Sequence, residues 1–396
     1  MSTPASARLE RIDTLRGVAV FGILTVNVWG MATGSMLLRY GVLDAAASGA
    51  DQLAIFLVAA LAEAKFYPIF AFLFGAGFAL QMRALRRASG ALEPAKAIYR
   101  RRLAWLLVCG LLHGSLLWYG DILNSYAVTG FWLLSTAGRP LRKLRRLLIG
   151  AAAINLALLA LGALVMLAMD EQSIASVNET VYDATRMQLI FSVGGWDDVA
   201  LARLKNFGMN LLNLPFFVPE LAMLFLAGVF AVRLGCLTRP ARHRRFWRGV
   251  LLAGFGIGLP WNLWWASLAL GEARDPYQLG QGALFGHAAL SVGGTLLAAG
   301  YVAALMLAGP RLARALAAVF APAGRMALSN YLLQSVLGML TLQGVGLGWG
   351  GQLSRAGLLA WCGAIMLVQL AWSRWWLARH GQGPFEAAWR RYVYPE

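Results

Sequence analysis

Ten apolar runs, most about 18 to 26 residues long, follow one another along this chain, and about 20 residues suffice to cross roughly 30 Å of hydrocarbon. They fall at about 15–38, 66–82, 102–119, 121–137, 147–169, 209–233, 249–270, 282–308, 326–346 and 356–378. Lipid is the solvent that accommodates so many long apolar stretches. Of the 396 residues 59% are hydrophobic and 13% charged, about half the charge of a soluble domain. The ten-residue alternating pattern of a membrane β-barrel is absent. The expected fold is therefore all-α: a polytopic transmembrane helical bundle of about ten spans, forming one integral membrane domain over residues 1–396. The apolar stretch 52–65, which ends in Glu63, Lys65 and Pro68, reads as a re-entrant or interfacial helix. The segment of about 170–208 reads as short amphipathic helices on the outer surface.

The basic residues orient this bundle. With the N-terminus in the cytoplasm, all but seven of the 35 Lys and Arg fall on inner segments such as "RALRR", "RPLRKLRR" and "RPARHRRFWR". Lys65, Arg203 and Arg355 are among the seven left outside. The positive-inside rule accounts for this asymmetry, so the net charge of +17 calls for no nucleic acid. An even span count puts the C-terminus in the cytoplasm too. Arginine far outnumbers lysine, which fits a GC-rich bacterial genome and a multi-pass bacterial inner-membrane protein.

Ionisable and amide groups inside apolar runs are costly, and so are functional candidates. His113, in "GLLHGSLLWYGD", lies between Gly110 and Gly114, whose GxxxG-like spacing admits a close helix neighbour. It is a candidate proton acceptor; the plainer alternative is a neutral imidazole bonded to a carbonyl. Asp121 is a favoured helix N-cap. On a straight helix it would stand about 12 Å along the axis from His113, too far to bond. It orients His113 only if the chain folds back at Gly120. Glu220, beside Pro215 and Pro219, together with Asn213, Asn262 and His287, falls at a depth that suggests an outward-facing cavity. Ser329, Asn330, Gln334 and Ser335 form a polar stripe on the ninth span, suited either to helix–helix bonding or to lining a ligand's path. Arg16 and Asn27, eleven residues apart, share a helix face within about 20° and stand roughly 16 Å apart. No HExxH, CxxC, P-loop, GxSxG or GxGxxG context occurs, which disfavours a metal site and nucleotide-fold chemistry.

The stretches "RIDTLRGVAVFGILTVN", "KFYPIFAFLFGAGFAL", "GLLHGSLLWYGDIL", "GRMALSNYLLQS" and "GPFEAAWRR" resemble, in this order and over nearly the whole chain, the YeiB-like family, domain of unknown function 418. That family is similar to a wider set of transmembrane acyltransferases, among them the lysosomal heparan glucosaminide N-acetyltransferase and the acyltransferase 3 proteins. The resemblance implies transfer of an acyl group from cytosolic acyl-CoA to an acceptor at or across the membrane. Acyltransferase 3 proteins carry an arginine, ten residues and a histidine in the first span. Here Arg16 keeps the spacing, and Asn27 stands where the histidine would be. The heparan enzyme's arginine and asparagine are closer, but its histidine after that span has no match, since residues 28–50 contain none.

Two functions follow as expectations. In the first, an acyltransferase, Arg16, Arg325 and Asn330 meet the acyl-CoA donor, and His113 removes a proton from the acceptor. Asn27 orients the imidazole or donates to the oxyanion, and Asp121 supports His113. Glu220, Asn213, His287 and Gln334 line the acceptor cavity. The second is a transporter or flippase for a small molecule or lipid, using the same cavity; a non-catalytic membrane scaffold is a third class. The partners are membrane lipids and a small-molecule, lipid or glycan acceptor, with a homodimer as one open assembly.

Overall fold

The computed structural model describes residues 4–35, 40, 47–168, 185–274 and 281–394, without the side chains of 4–9, 166, 281–285, 287 and 288. The described residues are helical, with no strand. The order is α1 (Pro4–Thr33), α2 (Gly49–Leu61), α3 (Phe66–Ser89), α4 (Leu92–Leu116), α5 (Leu123–Ser135), α6 (Leu141–Ala168), α7 (185–193) and α8 (Trp196–Arg233). Then come α9 (Arg244–Ala253), α10 (Leu259–Arg274), α11 (Gln281–Leu307), α12 (Pro310–Arg325), α13 (Ala327–Leu342), α14 (Arg355–His380) and α15 (Pro384–Val393).

Six helical stretches among the described residues are long and apolar enough to cross a membrane: Glu10–Thr33, Gly49–Ser89, Leu141–Val165, Trp196–Arg233, Ala289–Leu307 and Arg355–His380. This is a helical membrane protein. Two boundaries differ from the sequence expectation. The second half of the 170–208 segment is not a separate surface helix, because α8 starts at Trp196 and runs unbroken through Pro215 and Pro219. The 52–65 segment is helical only to Leu61, and a tight turn through Ala64, at φ 58°, leads into α3. The inner segment after the eighth apolar run forms the amphipathic helix α12.

Glycines set the closest helix approaches. A Cβ on Gly324 would lie 1.8 Å from the carbonyl oxygen of Asp13, and one on Gly17 would lie 2.1 Å from that of Phe320, so α1 and α12 touch backbone to backbone. Gly75 and Gly228 do the same for α3 and α8, each with a carbonyl 1.9 Å from the missing Cβ. Such contacts tolerate no methyl group without helix displacement. Gly324→Ala is expected to lower stability by about 1–3 kcal/mol, read as a lower unfolding midpoint in detergent. An unchanged midpoint would mean that the two helices part freely.

Between α9 and α10 the helix widens into a π turn over Gly254–Gly258. Pro260 follows, and its missing N–H and its ring disrupt ordinary α bonding to the preceding turn. Asn262 secures the region by donating to the carbonyls of Gly258 (2.7 Å) and Gly293 (2.8 Å). It is fully buried and serves helix packing.

The basic segments gather around the N-terminal end of α1. Arg11 donates to the carbonyls of Met306 (2.8 Å) and Ala308 (3.3 Å), closing the C-terminus of α11. Arg233 reaches the carbonyl of Arg139, and Arg325 that of Gly381. The C-terminal helix α15 returns to this same end, where Trp389 stacks on Arg102.

Candidate functional site

The chain does fold back after α4. The carbonyl of His113 accepts from the N–H groups of both Leu117 and Trp118, ending the helix. Gly120 lies against the Trp118 ring, where a Cβ would come within 2.7 Å of it. Gly110 removes the last obstacle, since a Cβ there would meet the Asn124 nitrogen at 2.5 Å and Asp121 Oδ2 at 2.9 Å. Asp121 therefore swings back onto α4, and its Oδ1 lies 2.8 Å from His113 Nδ1. Its Oδ2 accepts from the Asn124 N–H at 3.0 Å, capping the first turn of α5. Asp121 thus meets His113 with one oxygen and the first turn of α5 with the other.

The other imidazole nitrogen, Nε2, lies 2.8 Å from the hydroxyl of Ser335 on α13. Ser335, His113 and Asp121 are each 2% exposed. Tyr331 covers the imidazole, with ring centroids 5.0 Å apart. A carboxylate at Nδ1 fixes that nitrogen as the protonated one, which leaves the Nε2 lone pair for a hydroxyl proton. The three groups thus form a buried Ser–His–Asp relay, arranged in the order of a hydrolase triad. Ser335 stood in the sequence only as part of a polar stripe. Its spatial link to a residue 222 positions away has no local signal.

Asn27 stands at the depth of this relay. Gly17 packs beside Gly324, and Gly338 would carry its Cβ into Met31 Sδ. One offset satisfies both contacts, so α1 runs parallel to the α12–α13 pair, with Asn27 level with Gln334. Asn27 is one turn before Met31 on the same stripe. It is half-buried, and its side chain makes no hydrogen bond among the described residues. Two other donors are buried nearby without a partner, Asn124 Nδ2 and Trp118 Nε1.

The remaining candidates divide. Glu220 is buried and accepts from Tyr67 Oη at 2.7 Å; the Tyr126 hydroxyl donates to the Tyr67 carbonyl at 2.9 Å. Tyr126 neighbours Glu220 on one side and Tyr331 on the other, so Glu220 is separated from the relay by two tyrosines. Asn213 does not join it: it is exposed and bonds the Met209 carbonyl of its own helix. Asn330 and Gln334 are spent on helix packing. Asn330 donates to Ser373 Oγ and to the Ala323 carbonyl, and Gln334 donates to Gln369, which in turn donates to the Asn330 carbonyl. The side chain of His287 lies outside the described residues.

At the N-terminal end of α1, Arg16 bonds Asp13 at 3.1 Å and keeps 32% of its side chain exposed. Arg102 adds a second guanidinium, stacked on Tyr99 (5.2 Å) and Trp389 (5.1 Å) and held by Gln81. Arg16 and Arg102 are electrostatic neighbours. Beside them opens a cleft of about 700 Å³ lined by Gln81, Glu386, Trp389, Arg390, Arg391 and Tyr394, among others. Glu386 spends its carboxylate on the N-terminus of α13, accepting from the Leu328 and Ser329 N–H groups and the Ser329 hydroxyl, where helix partial charge favours an anion. Arg325 is exposed at this end. From Ser329 the α13 stripe rises about 9 Å to Ser335, and so joins the arginine end to the relay.

Two charges expected at the aqueous surface are internal. Lys65 is fully buried, and Arg203 is 3% exposed, donating to the Leu116 carbonyl (2.6 Å) and Gln343 Oε1 (3.0 Å). Arg203 thereby closes the C-terminus of α4 beyond His113.

Comparison with known proteins agrees on the family. A family model described as "Protein of unknown function (DUF418)" matches residues 231–396. The chain is 29% identical to "Uncharacterized protein YxaH" of Bacillus subtilis, over 99% of this chain and 96% of that protein. It is also 29% identical to "Uncharacterized protein YeiB" of Escherichia coli, over 96% of this chain and 94% of that protein. No solved structure matches. The chain is accordingly a membrane protein similar to the YeiB-like proteins over nearly its whole length, and its residues 231–396 match the DUF418 family.

Proposed function

We propose that this protein is an integral membrane acyltransferase, moving an acyl group from acyl-CoA to an acceptor at or across the membrane. The observation that carries the reading is His113, held between the carboxylate of Asp121 and the hydroxyl of Ser335 at 2.8 Å each. An imidazole so placed is a general base for a hydroxyl or amine. The donor's phosphates suit Arg16 and Arg102, with Arg390, Arg391 and Arg325 at the same end, because guanidinium groups bind phosphate in two-point contacts. Asn27, level with the relay and free to donate, suits the oxyanion of the transition state.

In this reading the arginine end faces the cytoplasm, as the positive-inside rule requires. Both termini lie there, and the chain crosses a bacterial inner membrane about ten times. A transporter is the second reading. It is favoured by Glu220, a buried carboxylate beside two helix prolines, since buried charges in spans also mark translocation paths.

A ligand that binds only the native state raises stability, by about 2.7 kcal/mol at a hundred times its Kd. Acetyl-CoA or palmitoyl-CoA should therefore raise the unfolding midpoint of the purified protein, and Arg16→Gln or Arg102→Gln should remove most of the shift. No shift with any common acyl-CoA at saturation would overturn the acyltransferase reading in favour of transport.

A further inference from the structure

The geometry points to Ser335 as an acyl-carrying nucleophile, so that transfer proceeds in two steps through an ester on α13. The inference rests on the acyltransferase reading and goes beyond it, since a histidine base alone requires no covalent intermediate.

Five helical serines in this chain bond back to their own helix, while Ser125 and Ser329 donate to the side chains of Asn124 and Glu386. Ser89 donates to the Leu85 carbonyl, Ser115 to Leu111, Ser192 to Gln188, and Ser135 and Ser267 to carbonyls three residues earlier. That is the usual resting place of a serine hydroxyl inside a helix. Ser335 departs from it, and its hydroxyl is directed to His113 Nε2. With Asp121 behind the imidazole, the hydroxyl has a base in line and the base has an orienting anion, which is the arrangement that activates a serine. Asn124 Nδ2 supplies the second observation. It is a buried amide donor without a partner on the residue whose N–H bonds Asp121. Buried donors ordinarily have acceptors, and a thioester carbonyl is an acceptor of the right kind.

In the first step Ser335 Oγ attacks the thioester carbon and its proton passes to His113 Nε2. The C–O bond forms, the C–S bond breaks, and the departing thiolate takes the proton from His113 to leave as free CoA thiol. In the second step an acceptor hydroxyl or amine gives its proton to His113 and attacks the ester carbon. The Ser335 oxygen leaves and recovers the proton. The sum is acyl-CoA plus acceptor to acylated acceptor plus CoA, with no other reactant.

The test uses the full chain in lipid nanodiscs, with radiolabelled acetyl-CoA and palmitoyl-CoA. Without acceptor, one acyl group should attach to the peptide containing Ser335. Ser335→Ala should carry no label, and Ser335→Cys should carry it as a thioester that neutral hydroxylamine cleaves. With lipid extract as acceptor source, Ser335→Ala should release CoA no faster than His113→Ala, because members of such a unit are not additive. If Ser335→Ala retains transfer while His113→Ala loses it, the relay is overturned and direct transfer stands. Label on another residue, or an unlabelled wild type, also overturns it. If the wild type neither binds nor turns over any acyl-CoA, the acyltransferase reading itself has failed.

Discussion

CoA release should fall by about 10²–10⁴-fold when His113 becomes alanine, with the acyl-CoA-induced rise in unfolding midpoint retained. The imidazole is 2% exposed and has defined partners on both nitrogens, so its removal takes away the base and leaves the distant arginine end intact. Asp121→Asn is the sharper companion. Asparagine caps helices as well as aspartate does, so the bond from the Asn124 N–H survives and stability should change little. The amide cannot hold the proton on Nδ1 as a carboxylate does, and the imidazole loses the tautomer that leaves Nε2 open. Turnover should therefore fall nearly as far as in His113→Ala, while the midpoint holds. Asp121→Ala would lose the cap as well and cost about 0.5–2 kcal/mol of stability. Full transfer by Asp121→Asn would show that Asp121 is a helix cap and nothing more.

Hydropathy made the class of fold legible, because long apolar runs have one common solvent. It did not give the helix lengths inside those runs. The helices α5 and α13 fall in the runs 121–137 and 326–346 but have only 13 and 16 residues, fewer than the about 20 of a full crossing. His113 and Asp121 are legible as costly groups in apolar surroundings, and a fold-back at Gly120 is the condition for their meeting. What the sequence withheld was direction around each helix axis. Asn330 and Gln334 shared a face, as their spacing requires, but only the position of α14 decides that this face meets Gln369 and Ser373 rather than a ligand. Asn213 turns to the exposed side of α8 and bonds the Met209 carbonyl of its own helix. Lys65 and Arg203 looked like surface charges because a single chain position does not reveal a neighbouring helix.

Lys65→Met should destabilise the protein by about 1–3 kcal/mol, the range for leaving a buried hydrogen-bonding group without its partner. Lys65 is fully buried at the turn between α2 and α3, donates to the Ala59 carbonyl at 2.7 Å, and has the Glu63 carboxylate as its electrostatic neighbour. Glu63 is also fully buried; its Oε2 accepts from Tyr40 Oη at 2.7 Å and Trp265 Nε1 at 2.9 Å. These bonds tie α10 to the turn. The backbone is tight here as well: a Cβ on Gly294 of α11 would lie 2.5 Å from the Ala64 carbonyl oxygen. Without the ammonium, Glu63 keeps its hydroxyl and indole donors but loses a cationic neighbour. The double variant Lys65→Met/Glu63→Leu should be destabilised by less than the sum of the two single variants, because each single variant leaves one buried charge without its neighbour. The two substitutions would show a coupling of about 0.5–3 kcal/mol, as residues in contact do. Unfolding midpoints of the four proteins in one detergent measure this. Additive effects would mean that Glu63 and Lys65 act independently and that the turn is held by its backbone contacts instead.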